Sequence, residues 1–205
     1  MFDCDGVLVD SERIANRVFA RVLEEECGLK LSLEQMFDHF VGHSQAQCLE
    51  IIEQMTGVTP PPGLGERYRR DINAELADSV VAVSGIESVL ETINTPYCVA
   101  SGGSYEKMQT TLGKTGLAKY FDGNLFSVSE VERAKPFPDI YLHAALSMGV
   151  DNPEKCLVID EIPLGVSGEW AEQMSFFVNS ELMKAYKLLA AGANHPFNHK
   201  DNLTY

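Results

Sequence analysis

The sequence predicts an α/β protein with a parallel-sheet core, interrupted just after its first strand by an all-helical insert. Three observations carry that prediction. From Ser11 to about Asp78 the chain reads as one helix after another, with nothing strand-like. Beyond Val80 the short apolar runs YCVA, NLFSV, CLVID and SFFV alternate with helical stretches, which implies right-handed crossovers and a parallel sheet covered on both faces. The opening MFD supplies a further strand. Residues 1–11 and 82–205 are therefore expected to form the core, and residues 12–81 an insert larger than ordinary loops.

In chain order, Asp10 or Ser11 is placed to cap a first helix carrying Ile14, Val18, Phe19 and Val22. Ser32 with Gln35, and Ser44 with Gln47, have capping-box spacing, and Gly57 stands where a third helix should stop. PPPGLG at 60–65 reads as a loop and GERYRRDINAELADS as a fourth helix. In the core the helices are ESVLETIN, YEKMQTTLGKTG, DIYLHAALSMG, PLGVSGEWAEQ and LMKAYKLLAAG. Only Met1 and Phe2 precede Asp3, where a central strand should supply about five residues. Either the chain begins late or the sheet is weakened at its centre.

A length of 205 residues, 45% of them hydrophobic and 22% charged, suits one sizeable core with an added subdomain and excludes fibrous and disordered classes. Sixteen basic against thirty acidic residues give a formal charge of -14, which repels nucleic acid and anionic membrane surfaces, so neither is an expected partner. An anionic small substrate would need a local positive site or a metal. The five scattered cysteines lack the close pairs of a zinc site and suit a reduced, cytoplasmic protein. No signal peptide or bilayer-spanning run is read, and a monomer is the expectation.

Ligands of open parallel sheets bind beyond the carboxyl ends of the strands. Those ends carry Asp3 and Asp5, then Ser101-Gly102-Gly103, then Lys135 in the loop after NLFSV, then Asp160-Glu161. Asp3 and Asp5, two apart in extended chain, project to one side, where like charges repel unless a cation or substrate intervenes. Gly6 allows the turn that follows. Together these groups suit phosphoryl transfer: a carboxylate nucleophile, a second carboxylate as acid or base, a hydroxyl and backbone N–H groups for phosphate oxygens, a lysine, and acidic ligands for magnesium. Singly they are bland, since Ser101 could simply cap a helix, Lys135 be a solvated lysine and Asp160-Glu161 open the next helix. Their order and topology lift them together.

DCDGVLVDSE, the serine of VASGG, the lysine of AKPFPD and the acidic pair of VIDEIPLGV resemble the four successive motifs of the haloacid dehalogenase superfamily, in its phosphatase branch, with a helical cap inserted after the first motif. The resemblance implies a Rossmann-like core and a two-step hydrolysis. Asp3 would attack phosphorus and form an aspartyl-phosphate. Asp5 would protonate the leaving alkoxide and later take a proton from water. Ser101 and the amides of Gly102 and Gly103 would hold phosphate oxygens, and Lys135 would offset charge. Magnesium would be bound by Asp3, the Asp5 carbonyl, Asp160 and Glu161.

The chain departs from the family pattern in its fourth motif, where Asp160-Glu161-Ile162 stands in place of Glu-Asp-Ser. The turn FVGHSQAQCL resembles the cap segment that faces the active site, which makes Gly42, His43 and Gln45 candidate substrate contacts. A covered site of that kind favours a small phosphorylated metabolite, a sugar or sugar-acid phosphate. Ala15 and Gln45 stand where related hexose-phosphate mutases carry histidine and arginine, which disfavours mutase activity, and Asp5 argues against a true dehalogenase. The truncated first strand and altered fourth motif motivate one alternative, a catalytically impaired member that binds a phosphorylated ligand without turnover.

Overall fold

The computed structural model describes residues 1–160, except Gly42, Ser44 and Pro136, together with the backbone of residues 175–179 and 195–197. The chain divides into two compact units, one of residues 1–10 and 81–205, the other of residues 11–80.

In the first unit β1 (Val99–Ser101) pairs with β2 (Leu125–Ser127), and β3 (Leu157–Asp160) with β4 (Ser175–Asn179), which pairs in turn with β5 (His195–Phe197). All of these pairings are parallel. The opening residues join the two halves. Phe2 bridges both Val99 and Ile159, using bonds from Phe2 N to Cys98 O and from Ala100 N to Phe2 O (both 2.9 Å), while Ile159 N reaches Met1 O at 2.9 Å and Asp3 N reaches Ile159 O at 2.8 Å. The short opening segment thus holds the sheet's centre. Its side chain is buried, with Tyr97 and Phe121 packed edge-on against the Phe2 ring at 6.2 and 6.3 Å.

Strand alternation sends Cys98, Ala100, Phe126, Cys156 and Val158 to one sheet face, where they pack against Ile140, Tyr141, Ala144 and Ala145 of a helix at Asp139–Ser147. The helix at Tyr105–Thr115 buries Met108, Thr111 and Leu112, and Gly116, with φ at 75°, ends it one residue short of the stretch read from the sequence. The chain leaves the sheet through a turn at Gly6 (φ 66°), closed by Gly6 N to Val9 O at 2.8 Å. Val9 then pairs antiparallel with Ala82 on the returning segment.

The second unit contains four helices, α1 (Glu12–Cys27), α2 (Leu33–Phe40), α3 (Gln45–Thr56) and α4 (Leu64–Ser79). Ile14, Val18 and Val22 fall four residues apart on one face of α1 and are buried, and Phe19 packs on Phe40 and Tyr68 at 5.1 and 4.9 Å. The Ser32–Gln35 capping box forms with both of its bonds. Ser11 occupies the first N-cap, but in helical conformation and without a side-chain capping bond.

The sequence reading missed β5, whose HPF lacks an apolar run. Pro196 has no N–H to give a ladder, which is tolerated because β5 pairs on one side only among the described strands. The helices expected from PLGVSGEWAEQ and LMKAYKLLAAG, the Ser44 cap and Glu161 lie outside the described residues.

Candidate active site

Because the strands run parallel, Asp3, Ser101, Ser127 and Asp160 all reach the same edge of the sheet, each at the carboxyl end of its segment. Lys135 arrives from the loop before the helix at Asp139–Ser147, here called α7; the helices at Ile86–Thr92 and Tyr105–Thr115 are α5 and α6. That loop is stapled at its base. Arg133 donates from Nε and Nη2 to the two carboxylate oxygens of Asp139 at 3.0 and 2.7 Å, and its guanidinium lies 4.5 Å from the centre of the Phe137 ring.

The Lys135 ammonium lies 3.1 Å from Asp3 Oδ1 and donates to Asp160 Oδ2 at 2.9 Å, with 10% of its side chain exposed against 7% and 0% for the two carboxylates. Tyr141 donates to the same Asp160 oxygen at 2.6 Å, and Lys135 stands 5.0 Å over its ring. Three predicted site residues are thereby in contact. Burial alone would lower the Lys135 pKa, but Asp160 and Asp3 outweigh it and hold the ammonium charged well above its ordinary range. Asp3 behaves differently. Burial dominates there, and despite Lys135 its carboxyl is pushed up from 3.8 to about 7, with Asp160 and Asp5 adding repulsion. The ammonium sits off the line that a hydrogen bond needs, so the buried Asp3 Oδ1 has no hydrogen-bond partner in the structure.

Asp5 accepts from Lys107 Nζ at 2.8 Å. Ser101 Oγ accepts from the Gly103 N–H at 3.0 Å, and Ser127 Oγ donates to the Gly103 carbonyl at 2.8 Å, so hydroxyls from two neighbouring strand ends hold the peptides on either side of one residue. A Cβ built on Gly103 would lie 3.4 Å from Ser101 Oγ, 3.5 Å from Lys107 Cδ and 3.6 Å from Asp5 Oδ2. The space over Gly103 is therefore bordered by three polar side chains and is about one methyl group deep. Gly102 is exposed and faces open space.

Gly42 is outside the described residues. His43 and Gln45 belong to the helical unit, where the exposed His43 has Nδ1 3.3 Å from Val41 O, and a Cβ at Gly65 would collide with the Gln45 amide. Sequence reasoning missed Lys107, Tyr141 and Ser127. Two of them carry a signal after the fact: Lys107 is six residues past Ser101, at the start of the helix the serine loop feeds, and Tyr141 is six past Lys135.

A hard divalent cation fits part of this donor set. Asp3 and Asp160 supply buried carboxylate oxygens, and the unpartnered Asp3 Oδ1 is stabilised by whatever positive centre meets it. Among the described residues no three His, Cys, Asp or Glu side chains are grouped as a metal site, so a cation here would also draw on a backbone carbonyl or on residues beyond Asp160.

A haloacid dehalogenase-like hydrolase family model matches residues 1–168. The chain belongs to that family, in its phosphatase branch. A 6-phosphogluconate phosphatase from Escherichia coli (strain K12) is 38% identical over 165 residues, covering 80% of this chain and 74% of that protein. A haloacid dehalogenase-like protein of unknown function from Agrobacterium tumefaciens superposes with a TM-score of 0.90 at 30% identity, over 98% of this chain and 93% of that one. A family hydrolase from Deinococcus radiodurans, crystallised with bound phosphate and sodium, gives 0.83 at 28% identity, over 98% and 91%. Among the described residues no helix is long and apolar enough to cross a membrane.

Proposed function

We propose that the protein is a magnesium-dependent phosphatase that hydrolyses a small phosphorylated metabolite, a sugar or sugar-acid phosphate, through an aspartyl-phosphate on Asp3. One observation carries the reading: a buried carboxylate with an unpartnered oxygen, Asp3 Oδ1, beside an ammonium shared with Asp160 and two residues from a second carboxylate. An oxygen anion left without a hydrogen bond is poised to meet an electrophile, and phosphorus is one. The relationship to a 6-phosphogluconate phosphatase supports the sugar-acid ester as the first substrate to try.

In this mechanism Asp3 attacks phosphorus as Asp5 gives its proton to the bridging ester oxygen, so that the alcohol departs neutral. The Asp5 carboxylate then takes a proton from water as the water oxygen bonds to phosphorus and the Asp3 acyl phosphate breaks. Ser101 and the Gly102 amide hold phosphate oxygens, with Gly103, whose N–H is given to Ser101 Oγ, lining the same place, and Lys135 keeps positive charge beside the attacking group. Magnesium, held by Asp3, Asp160, the Asp5 carbonyl and Glu161, would offset the mutual repulsion of carboxylate and phosphate. His43 and Gln45, with Gly42, are the residues proposed to select the organic part of the ester.

The test is a phosphate-release assay against a panel of sugar and sugar-acid phosphates, with and without magnesium and chelator, and with Asp3→Asn as control. Turnover that needs the metal and is lost in the variant supports the enzyme. Ligand binding without turnover in the wild type would support the impaired-member reading instead, and turnover indifferent to EDTA would remove the metal from the scheme.

A further inference from the structure

Asp3 and Asp160 meet at one end of the sheet, where Lys135 serves both. Asp5 has a lysine of its own. Lys107 sits in the first turn of α6, where its N–H donates to the N-cap Ser104 Oγ at 3.3 Å, and from there its side chain runs past Gly103 to place Nζ 2.8 Å from Asp5 Oδ2. The two residues are 102 apart in sequence, so local backbone geometry does not create the pair. With 31% and 16% of the side chains exposed, the pair is partly shielded from water, and the bond is charge-assisted.

The backbone under Asp5 is already fixed, by the Gly6 turn and by Leu8 N and Val9 N both donating to Cys4 O. What remains for the carboxylate is rotation about its own side-chain bonds. An ammonium on one oxygen restrains that rotation. The pair passes close over Gly103, where a Cβ would lie in van der Waals contact with both, 3.5 Å from Lys107 Cδ and 3.6 Å from Asp5 Oδ2. We infer that Lys107 is a positioning residue that orients the Asp5 carboxylate for proton transfer to the leaving group, a task separate from the charge-offsetting one of Lys135. The inference rests on the phosphatase reading above.

Such a role predicts a loss that depends on the leaving group. An alkoxide must be protonated to depart, whereas p-nitrophenolate leaves without a proton. Because kcat/KM reports events up to loss of the leaving group, the ratio of kcat/KM for an alkyl phosphate to that for p-nitrophenyl phosphate isolates the proton donor and cancels any change in phosphate affinity. The alkyl ester is whichever of the panel the wild type turns over fastest. For Lys107→Met that ratio should fall roughly tenfold or more, while kcat/KM for p-nitrophenyl phosphate stays within about threefold of wild type. Lys107→Arg should restore most of it. Lys107→Gln, which keeps length and a donor, gives a second reading should the methionine variant melt below the assay temperature. Equal losses on both esters, a rise in KM alone or no change at all would each overturn the positioning role. A wild type that cleaves neither ester would instead fail the phosphatase reading itself, and would be seen before any variant is made.

Discussion

Each unit of the molecule gathers charges, and it does so under opposite physical conditions. In the helical unit Arg67 meets Glu25, Glu26 and Asp71, with Arg21 and Glu75 nearby, all on the outside of α1 and α4. In the α/β unit Lys135 meets Asp3 and Asp160 almost out of reach of water. The first network is partly open to water and salt, and the hydrogen bond and attraction from Arg67 lower the Asp71 pKa, the ordinary effect of a cationic neighbour. In the second, removal from water outweighs the neighbouring ammonium and raises the Asp3 pKa. Similar residue types thus hold a carboxyl pKa low in one place and raise it in the other, and burial makes the difference.

The largest effect should come from Asp3→Asn, which keeps shape and removes the proposed nucleophile. Phosphate release should fall by about a thousandfold or more with the far-ultraviolet spectrum unchanged, and retained turnover would assign the attack to another group. Next is the contrast between the two cations. Lys135→Met leaves two buried carboxylates without their cation and should cost about 3–5 kcal/mol in urea unfolding. Arg67→Met should move the same midpoint little, and less still at high salt, because Glu25 and Glu26 keep a third or more of their side chains in water. Comparable losses from the two variants would erase the distinction drawn between the units.

The Asp3 pKa gives the comparison a pH signature. In the metal-free protein its carboxyl releases its proton near 7 when folded and near 3.8 when unfolded, so between those values the folded state binds more protons. The contribution is fully present below 3.8 and is lost as pH rises through about 7. Asp3→Asn, which carries no charge to bury, should therefore melt higher than the metal-free wild type at pH 8, with the gain shrinking by pH 5. A constant gap across that range would mean that burial does not govern Asp3. Smaller again is Tyr141→Phe, which removes the 2.6 Å bond to Asp160 and should cost about 1–3 kcal/mol, with weaker magnesium binding measurable by calorimetry.

Much of the layout was legible in the letters. The alternation of short apolar runs with helices announced the parallel sheet, and Ser32–Gln35 and Gly57 marked helix ends where a capping box and a positive-φ glycine occur. Those signals are local and need only a residue and its neighbours. The short opening strand reads as either a late start or a weak centre; in the structure Phe2 bridges a strand on each side and is 2% exposed. β5 went unseen because HPF has no periodicity to read. Lys107 and Tyr141 looked like any lysine and tyrosine on a helix, since their partners lie 102 and 19 residues away in sequence.

The order of motifs and the hydrophobic periodicity, both properties of the linear chain, were enough to specify a parallel sheet, an inserted helical unit and which residues would stand at the strand ends. Folding alone decided that Lys135 would be shared by two carboxylates, that a second lysine would hold Asp5, and that Asp3 would keep one oxygen without a hydrogen bond. Periodicity is written along the backbone, whereas desolvation and the pairing of distant charges exist only once the chain has closed around them.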